Sequence, residues 1–259
     1  STLMPPLYHT SQCVRMEGTM RYSRLPTEQP HPLSHALDQL SPLHLVRVMN
    51  RDDARVVRAV GRQLPQIARA VRLIAHTLHC GGRLFFIGAG TSGRLGVLEA
   101  AECPPTFQTD RSTVQAIIAG GRDAVFRSQE GAEDRRADAR AVVRRRVRAG
   151  DALVGGSASG VTPFVDEALT TARGRHASTI LITCHPRTTI PAHVRIALSV
   201  GPELLTGSTR LKSGTATKLV LNMLTLGAMA QCGKTYGNLM ADVRPPSRKL
   251  RARAVGIVR

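Results

Sequence analysis

Short apolar runs that pass through a turn into a stretch of helical spacing recur along this sequence. Arg83–Ile87 (RLFFI) leads into Gly88–Gly93 (GAGTSG) and then a helical Arg94–Ala101. Val114–Ala119 precedes a helix over Asp134–Arg148. Ala152–Gly155 leads into Ser157–Pro163 (SASGVTP) and a helix to about Ala172. Thr179–Thr183 and a short strand near Ile196–Val200 precede a long helix from about Ser213 to Gln231. Strands separated by helices of this length need crossover connections, which give a parallel sheet with helices on both faces. The expected fold class is α/β.

Upstream, Ser41 opens an apolar-periodic stretch. From Asp52 to His79, Val56, Val60, Ile67, Val71, Ile74 and Leu78 recur at helical spacing. Pro65 divides this stretch into two helices, and Gly81–Gly82 ends the second. Residues 1–35 are rich in Pro, His and Ser without a period, and read as a loop-like N-terminal extension. Residues 36–259 read as a single domain that includes the N-terminal helices.

Composition excludes several classes. The 259 residues are 42% apolar, enough for one sizeable core. No run reaches the roughly 20 apolar residues of a membrane span, and the N-terminus lacks the apolar stretch of a secretory leader. Cys13, Cys80, Cys103, Cys184 and Cys232 are odd in number and lack CxxC spacing. That argues against disulfide scaffolds and zinc modules, and for a reducing, cytoplasmic setting. The net charge is +18, carried almost wholly by arginine. Nucleic-acid binding is one explanation and a genomic arginine bias the other. With 3% aromatic residues and no Trp there is little to stack bases on, which favours the second. The arginines of Arg135–Arg148 read as a solvated helix face.

The glycine turns carry the chemistry. In Gly88–Gly93, Gly90 lets the backbone approach a ligand, Thr91 and Ser92 offer hydroxyls, and the following helix offers free N–H groups. The same GxGxxG spacing fits a dinucleotide fold, but no acidic residue ends the second strand to hold a ribose. Ser157-Ala158-Ser159-Gly160, with Thr162 beyond, repeats the strand-to-helix context. Two such turns at the carboxyl edge of one parallel sheet suit a phosphate and the sugar it carries. Glu102, expected about one turn beyond the first glycine turn, and Glu133, after the next strand, are candidate acid and base groups for that edge.

Long ordered segments now point to a family. Residues 88–107 (GAGTSGRLGVLEAAECPPTF), 118–121 (IAGG), 130–134 (EGAED), 158–163 (ASGVTP), 201–224 (GPELLTGSTRLKSGTATKLVLNML) and 233–243 (GKTYGNLMADV) resemble N-acetylmuramic acid 6-phosphate etherases, from about Thr27 to Val258. The resemblance implies the sugar isomerase (SIS) fold, a three-layer sandwich shared with the vertebrate glucokinase regulatory protein. It implies cleavage of the D-lactyl ether of N-acetylmuramic acid 6-phosphate to N-acetylglucosamine 6-phosphate and D-lactate, with no metal or redox cofactor, in a homodimer. By motif position it makes Glu133 the base at sugar carbon 2. Glu102 becomes the acid that protonates the lactyl oxygen and later activates water. Gly90, Thr91, Ser92, Ser157, Ser159, Glu203, Ser208, Thr209, Arg210 and Lys212 become the substrate-binding set. Glu99 and Asp134 read as supporting or solvated groups.

The sequence departs from the family pattern in places. His31 stands where the family's TE-x-x-N motif has Asn, Val161 where it has Arg after ASG, and His185 where a CNP-like turn has Asn. His31 and His185 are therefore candidates for substrate contact. Family members continue past the equivalent of Val258 into another helical segment, whereas this sequence ends at Arg259. The alternative function is a non-catalytic sugar-phosphate-sensing regulator. No compact DNA-reading module precedes the fold, and Glu102 is present, so an enzyme is favoured, with nucleic acid and membrane disfavoured as partners.

Overall fold

A computed structural model of the chain describes residues 22–241. Its centre is a five-stranded parallel sheet of β1 (Leu84–Gly88), β2 (Val114–Ile118), β3 (Ala152–Ser157), β4 (Ser178–Thr183) and β5 (Val194–Ala197), in the order β2-β1-β3-β4-β5. All neighbours run parallel, as the strand–helix alternation requires. The strands β1, β3 and β4 read as almost continuous apolar runs because both of their faces are covered.

Helices make the outer layers. On one face α1 (Pro42–Gly61), α2 (Leu64–His79), α3 (Gly90–Phe107) and α6 (Lys212–Gln231) share a core with Phe86, Val154 and Ile182. On the other, α4 (Arg136–Arg146) and α5 (Pro163–Gly174) pack on Phe85, Leu153 and Leu181. Alternate strand residues feed opposite cores, as the two-residue strand period demands. This is the three-layer α/β sandwich with N-terminal helices. A two-stranded hairpin, β6 (Thr235–Tyr236) and β7 (Leu239–Met240), closes the described chain.

Local signals act as expected at several ends. Ser41 caps α1 by accepting the His44 N–H at 3.4 Å. Pro65 sits in the first turn of α2, where its missing N–H costs no helix bond, so it opens that helix. The described part of the N-terminal extension forms only two three-residue 3-10 turns, Tyr22–Arg24 and Pro26–Glu28. It nevertheless buries Leu25, Thr27 and His31. The arginine-rich tail 244–259 and Cys13 lie outside the described residues.

One helix is longer than its sequence suggests. α3 does not stop at Ala101 but runs through Pro104 and Pro105 to Phe107, where Gln108 ends it in the left-handed region (φ 52°). A proline costs a helix the N–H it lacks and crowds the turn before it. Here both prolines lie in the last turn of α3, and the Gln108 N–H still reaches the Pro104 carbonyl at 2.9 Å.

Candidate functional site

The two glycine turns meet because β1 and β3 are neighbours with Gly88 paired to Gly156. A Cβ on Gly156 would lie 3.1 Å from the Ser92 Cβ, so the second turn has room only for hydrogen beside the first. Gly88 and Gly93 are equally confined. A Cβ on Gly93 would stand 2.7 Å from the Gly88 carbonyl oxygen, which lets α3 start directly over the strand end. Both turns open into a cleft of about 650 Å³ at the carboxyl edge of the sheet.

Most of the expected binding set lines this cleft. Gly90, Thr91 and Ser92 come from the first turn, Ser157 and Ser159 from the second, and Ser208, Thr209 and Arg210 from the loop before α6. Their local roles differ. Ser157 is buried and its Oγ lies 2.7 Å from Thr162 Oγ1 while accepting the Gly160 N–H at 3.1 Å, so its hydroxyl chiefly builds the turn. Ser159 is half-buried, and its Oγ accepts only a long bond from the Val161 N–H at 3.4 Å. Glu133, half-buried in the 3-10 turn Ala132–Asp134, also lines the cleft.

Three of the expected site residues stand away from the cleft in this chain. Glu102 is exposed and does not line the cleft. At a rise of about 1.5 Å per residue it stands about 18 Å along α3 from Gly90, in the fourth turn of the helix. Glu203 is fully buried and caps α6 instead of meeting a ligand. Its two oxygens accept the Lys212 N–H at 3.0 Å, the Ser213 N–H at 2.9 Å and the Ser213 hydroxyl at 2.8 Å. Lys212 is buried too; its Nζ lies 2.5 Å from Asp52 Oδ2 and donates to the Pro202 carbonyl at 2.7 Å. A carboxylate held by three donors and an ammonium held by a carboxylate are both needed inside the protein.

Of the two histidines at departures from the family pattern, His31 is buried and His185 half-buried. His185 Nδ1 donates to the Ser159 carbonyl at 3.0 Å, bracing the second turn from behind. His31 lies against Asp52. Neither lines the cleft. Glu99 is buried, bonded to Lys218 at 2.7 Å and to the Thr225 hydroxyl, and so joins α3 to α6.

Sequence reasoning missed Glu28, Arg94, Gln129 and Glu130, which all line the cleft. Arg94 is fixed there by donating from Nε to the Val125 carbonyl at 2.9 Å, and Glu130 accepts from Ser128 at 2.6 Å. Glu28 sits in the same motif as His31, Arg94 in the segment 88–107 and Glu130 in 130–134, so each had a signal in the family resemblance, whereas Gln129 had none. Among the described residues no three His, Cys, Asp or Glu side chains gather as metal ligands, and no helix is long and apolar enough to cross a membrane.

Comparison with known proteins bears on this arrangement. A protein of Gloeobacter violaceus named N-acetylmuramic acid 6-phosphate etherase is 54% identical over 239 residues, covering 91% of this chain and 78% of its own length. One of the same name from Symbiobacterium thermophilum is 50% identical over 241 residues, covering 92% and 80%. The chain belongs to the N-acetylmuramic acid 6-phosphate etherase family. Residues 66–173 also match the glucokinase regulatory protein N-terminal SIS domain. Among solved structures, a phosphoheptose isomerase from Francisella tularensis superposes with a TM-score of 0.60 at 15% identity, over 74% of this chain and all of that one. That likeness shows the SIS-type fold of this etherase-family chain.

Proposed function

We propose that the chain cleaves the D-lactyl ether of N-acetylmuramic acid 6-phosphate, giving N-acetylglucosamine 6-phosphate and D-lactate. One observation carries the reading. In a chain half identical to etherases, Glu133 shares a cleft with two hydroxyl-bearing glycine turns. The helix N-terminus and hydroxyls of the first turn suit the phosphate. In the ring-opened sugar, carbon 2 lies beside the aldehyde, so a carboxylate can remove its proton. Glu133 takes that proton, the carbon 3–oxygen bond breaks, and an acid protonates the departing lactyl oxygen. Water then adds to carbon 3 of the unsaturated aldehyde and carbon 2 regains a proton, so the net change is uptake of one water.

In this reading the acid is Glu102, and since it stands away from the cleft of its own chain, it would be supplied by a neighbouring copy. An apolar groove between α3 and α6, lined by Leu95, Gly214 and Leu219, shares Thr91 and Arg210 with the cleft. Leu98, Met223 and Leu226 are exposed on the same two helices. A homodimer seated there would bring Glu102 of the partner subunit to the cleft. We place this dimer in the cytosol.

The test is D-lactate release from N-acetylmuramic acid 6-phosphate by wild type, Glu133→Ala, Glu102→Ala and a refolded one-to-one mixture of the two variants. Each variant alone should lose activity by about 10²-fold or more. In the mixture half the dimers pair unlike chains and each of those holds one intact site, so about a quarter of the activity returns. Two inactive variants that do not complement would place Glu102 within its own chain's site. A folded wild type that releases no lactate would sink the etherase reading.

A further inference from the structure

We propose that Leu25–His31 is a working wall of the sugar-phosphate site, in which Glu28 accepts hydrogen bonds from hydroxyl or amide N–H groups of the sugar and His31 is the positioning residue that holds Glu28 there. This rests on the reading that the cleft takes a sugar phosphate, and adds to it a determinant for the sugar.

Glu28 is half-buried at the cleft and enters no ion pair among the described residues. Its carboxylate is placed on both sides. Thr27 Oγ1 donates to Oε1 at 3.1 Å, and Oε2 packs against Gly207, where a Cβ would come within 3.1 Å of it. Gly207 also adopts φ +79°, which favours glycine. A carboxylate so held is repelled by a phosphate dianion. It therefore meets the part of the ligand that carries donors, and the phosphate stays with the hydroxyl turns.

The strap that carries Glu28 has little structure of its own beyond one 3-10 turn. It is moored by His31, which is 1% exposed. His31 Nδ1 accepts the Leu33 N–H at 3.2 Å, so the proton sits on Nε2, which faces Asp52 Oδ1 at 3.3 Å. The other oxygen of Asp52 meets Lys212 Nζ, the first residue of α6. The Gly207 N–H donates to the Thr27 carbonyl at 3.1 Å. Asp52 thus ties the strap to the loop that presents Ser208–Arg210, and the two walls of the cleft share one buried carboxylate.

Calorimetric binding of N-acetylglucosamine 6-phosphate, with inorganic phosphate as comparator, tests this on the full chain. Glu28→Ala should weaken the sugar phosphate about tenfold or more, the loss of a hydrogen bond to a charged acceptor, and leave inorganic phosphate unchanged. His31→Leu should show the same selective loss. His31→Gln, whose Nε2 can replace the imidazole Nε2, should recover most of it, whereas a merely space-filling His31 would be replaced as well by Leu. Circular dichroism checks each fold, and if His31→Leu does not fold, His31→Met, apolar and without a donor for Asp52, takes its place. Wild-type affinity in Glu28→Ala, or equal losses for both ligands, overturns the proposal. D-lactate release on the same proteins separates the two readings. Selective loss in Glu28→Ala of a chain that releases no lactate keeps this proposal and sinks the etherase, and active enzyme indifferent to Glu28→Ala does the reverse. A wild type that binds the sugar phosphate no better than phosphate overturns this proposal together with the sugar-phosphate reading.

Discussion

Asp151 and Asp52 are both buried aspartates, but they hold different things. Asp151, just before β3, accepts the Arg83 N–H at 3.0 Å, Arg83 Nη2 at 2.7 Å and the Arg148 N–H at 2.9 Å. Every partner is well aligned, and two are backbone groups of segments flanking strands, so the cluster staples the scaffold. Asp52 meets only side chains, His31, Lys212 and Arg55, at ion-pair distance without an aligned hydrogen bond. Arg55 is its neighbour on α1, whereas His31 and Lys212 belong to two walls of the cleft, the strap and the start of α6. The first aspartate is spent on the frame, and the second on the fit of the site.

The contrast can be broken at either end. Asp151→Ala leaves the Arg83 guanidinium without its carboxylate and should cost about 3–5 kcal/mol in denaturant unfolding, with no change in sugar-phosphate affinity of the folded fraction. Asp52→Ala strands buried Lys212, which keeps only the Pro202 carbonyl, and should cost about 3 kcal/mol. It should also weaken sugar-phosphate binding, as Asp151→Ala does not. Equal affinity losses in the two variants would erase the distinction.

Thiol labelling sharpens it further. Burial pushes the Cys184 thiol up to about 11 and the Cys103 thiol up to about 12, while Cys80 is exposed. Among the cysteines of the described residues, a disulfide reagent at pH 8 should modify Cys80 first and leave Cys103 and Cys184 intact in the native protein. Asp52→Ala should hasten labelling of Cys184, whose thiol is influenced by Ser213 at the start of α6 and by Glu203, which caps it, and Asp151→Ala should not.

The smallest effect belongs to the surface. The Arg140 hydrogen bond holds the Glu167 carboxyl below its ordinary range. A group lowered on folding contributes stability above its unfolded pKa and loses it as pH falls through the folded one. Glu167→Gln should therefore lower the melting temperature slightly at neutral pH, and the difference should vanish in acid below the carboxylate range. A gap that widens in acid would contradict the pairing.

What the sequence disclosed follows from range. The strands and glycine turns were legible because apolar runs and GAGTSG act within a few residues. Ser92 and Ser159 were placed in one cleft by the parallel-sheet rule alone. Glu102 was expected about one turn from the glycine turn, but α3 starts at Gly90, so twelve residues of continuous helix, more than three turns, carry it away from that edge. Glu203 and Lys212 look like ligand groups in any local window. Their burial depends on Asp52 and on the α6 backbone, partners set by tertiary packing. Glu28 and His31 lay in a segment whose composition reads as loop, and their anchoring comes from far along the chain.

The cleft draws one wall from Glu28 and another from Ser208–Arg210, near opposite ends of the described chain. Such a site has high contact order, and its loop-closure entropy is met late. A nascent chain can pair β1 with β3 well before it can recognise a sugar. The ligand therefore acts on the finished fold alone, raising its melting temperature by mass action while leaving the rate of early collapse untouched.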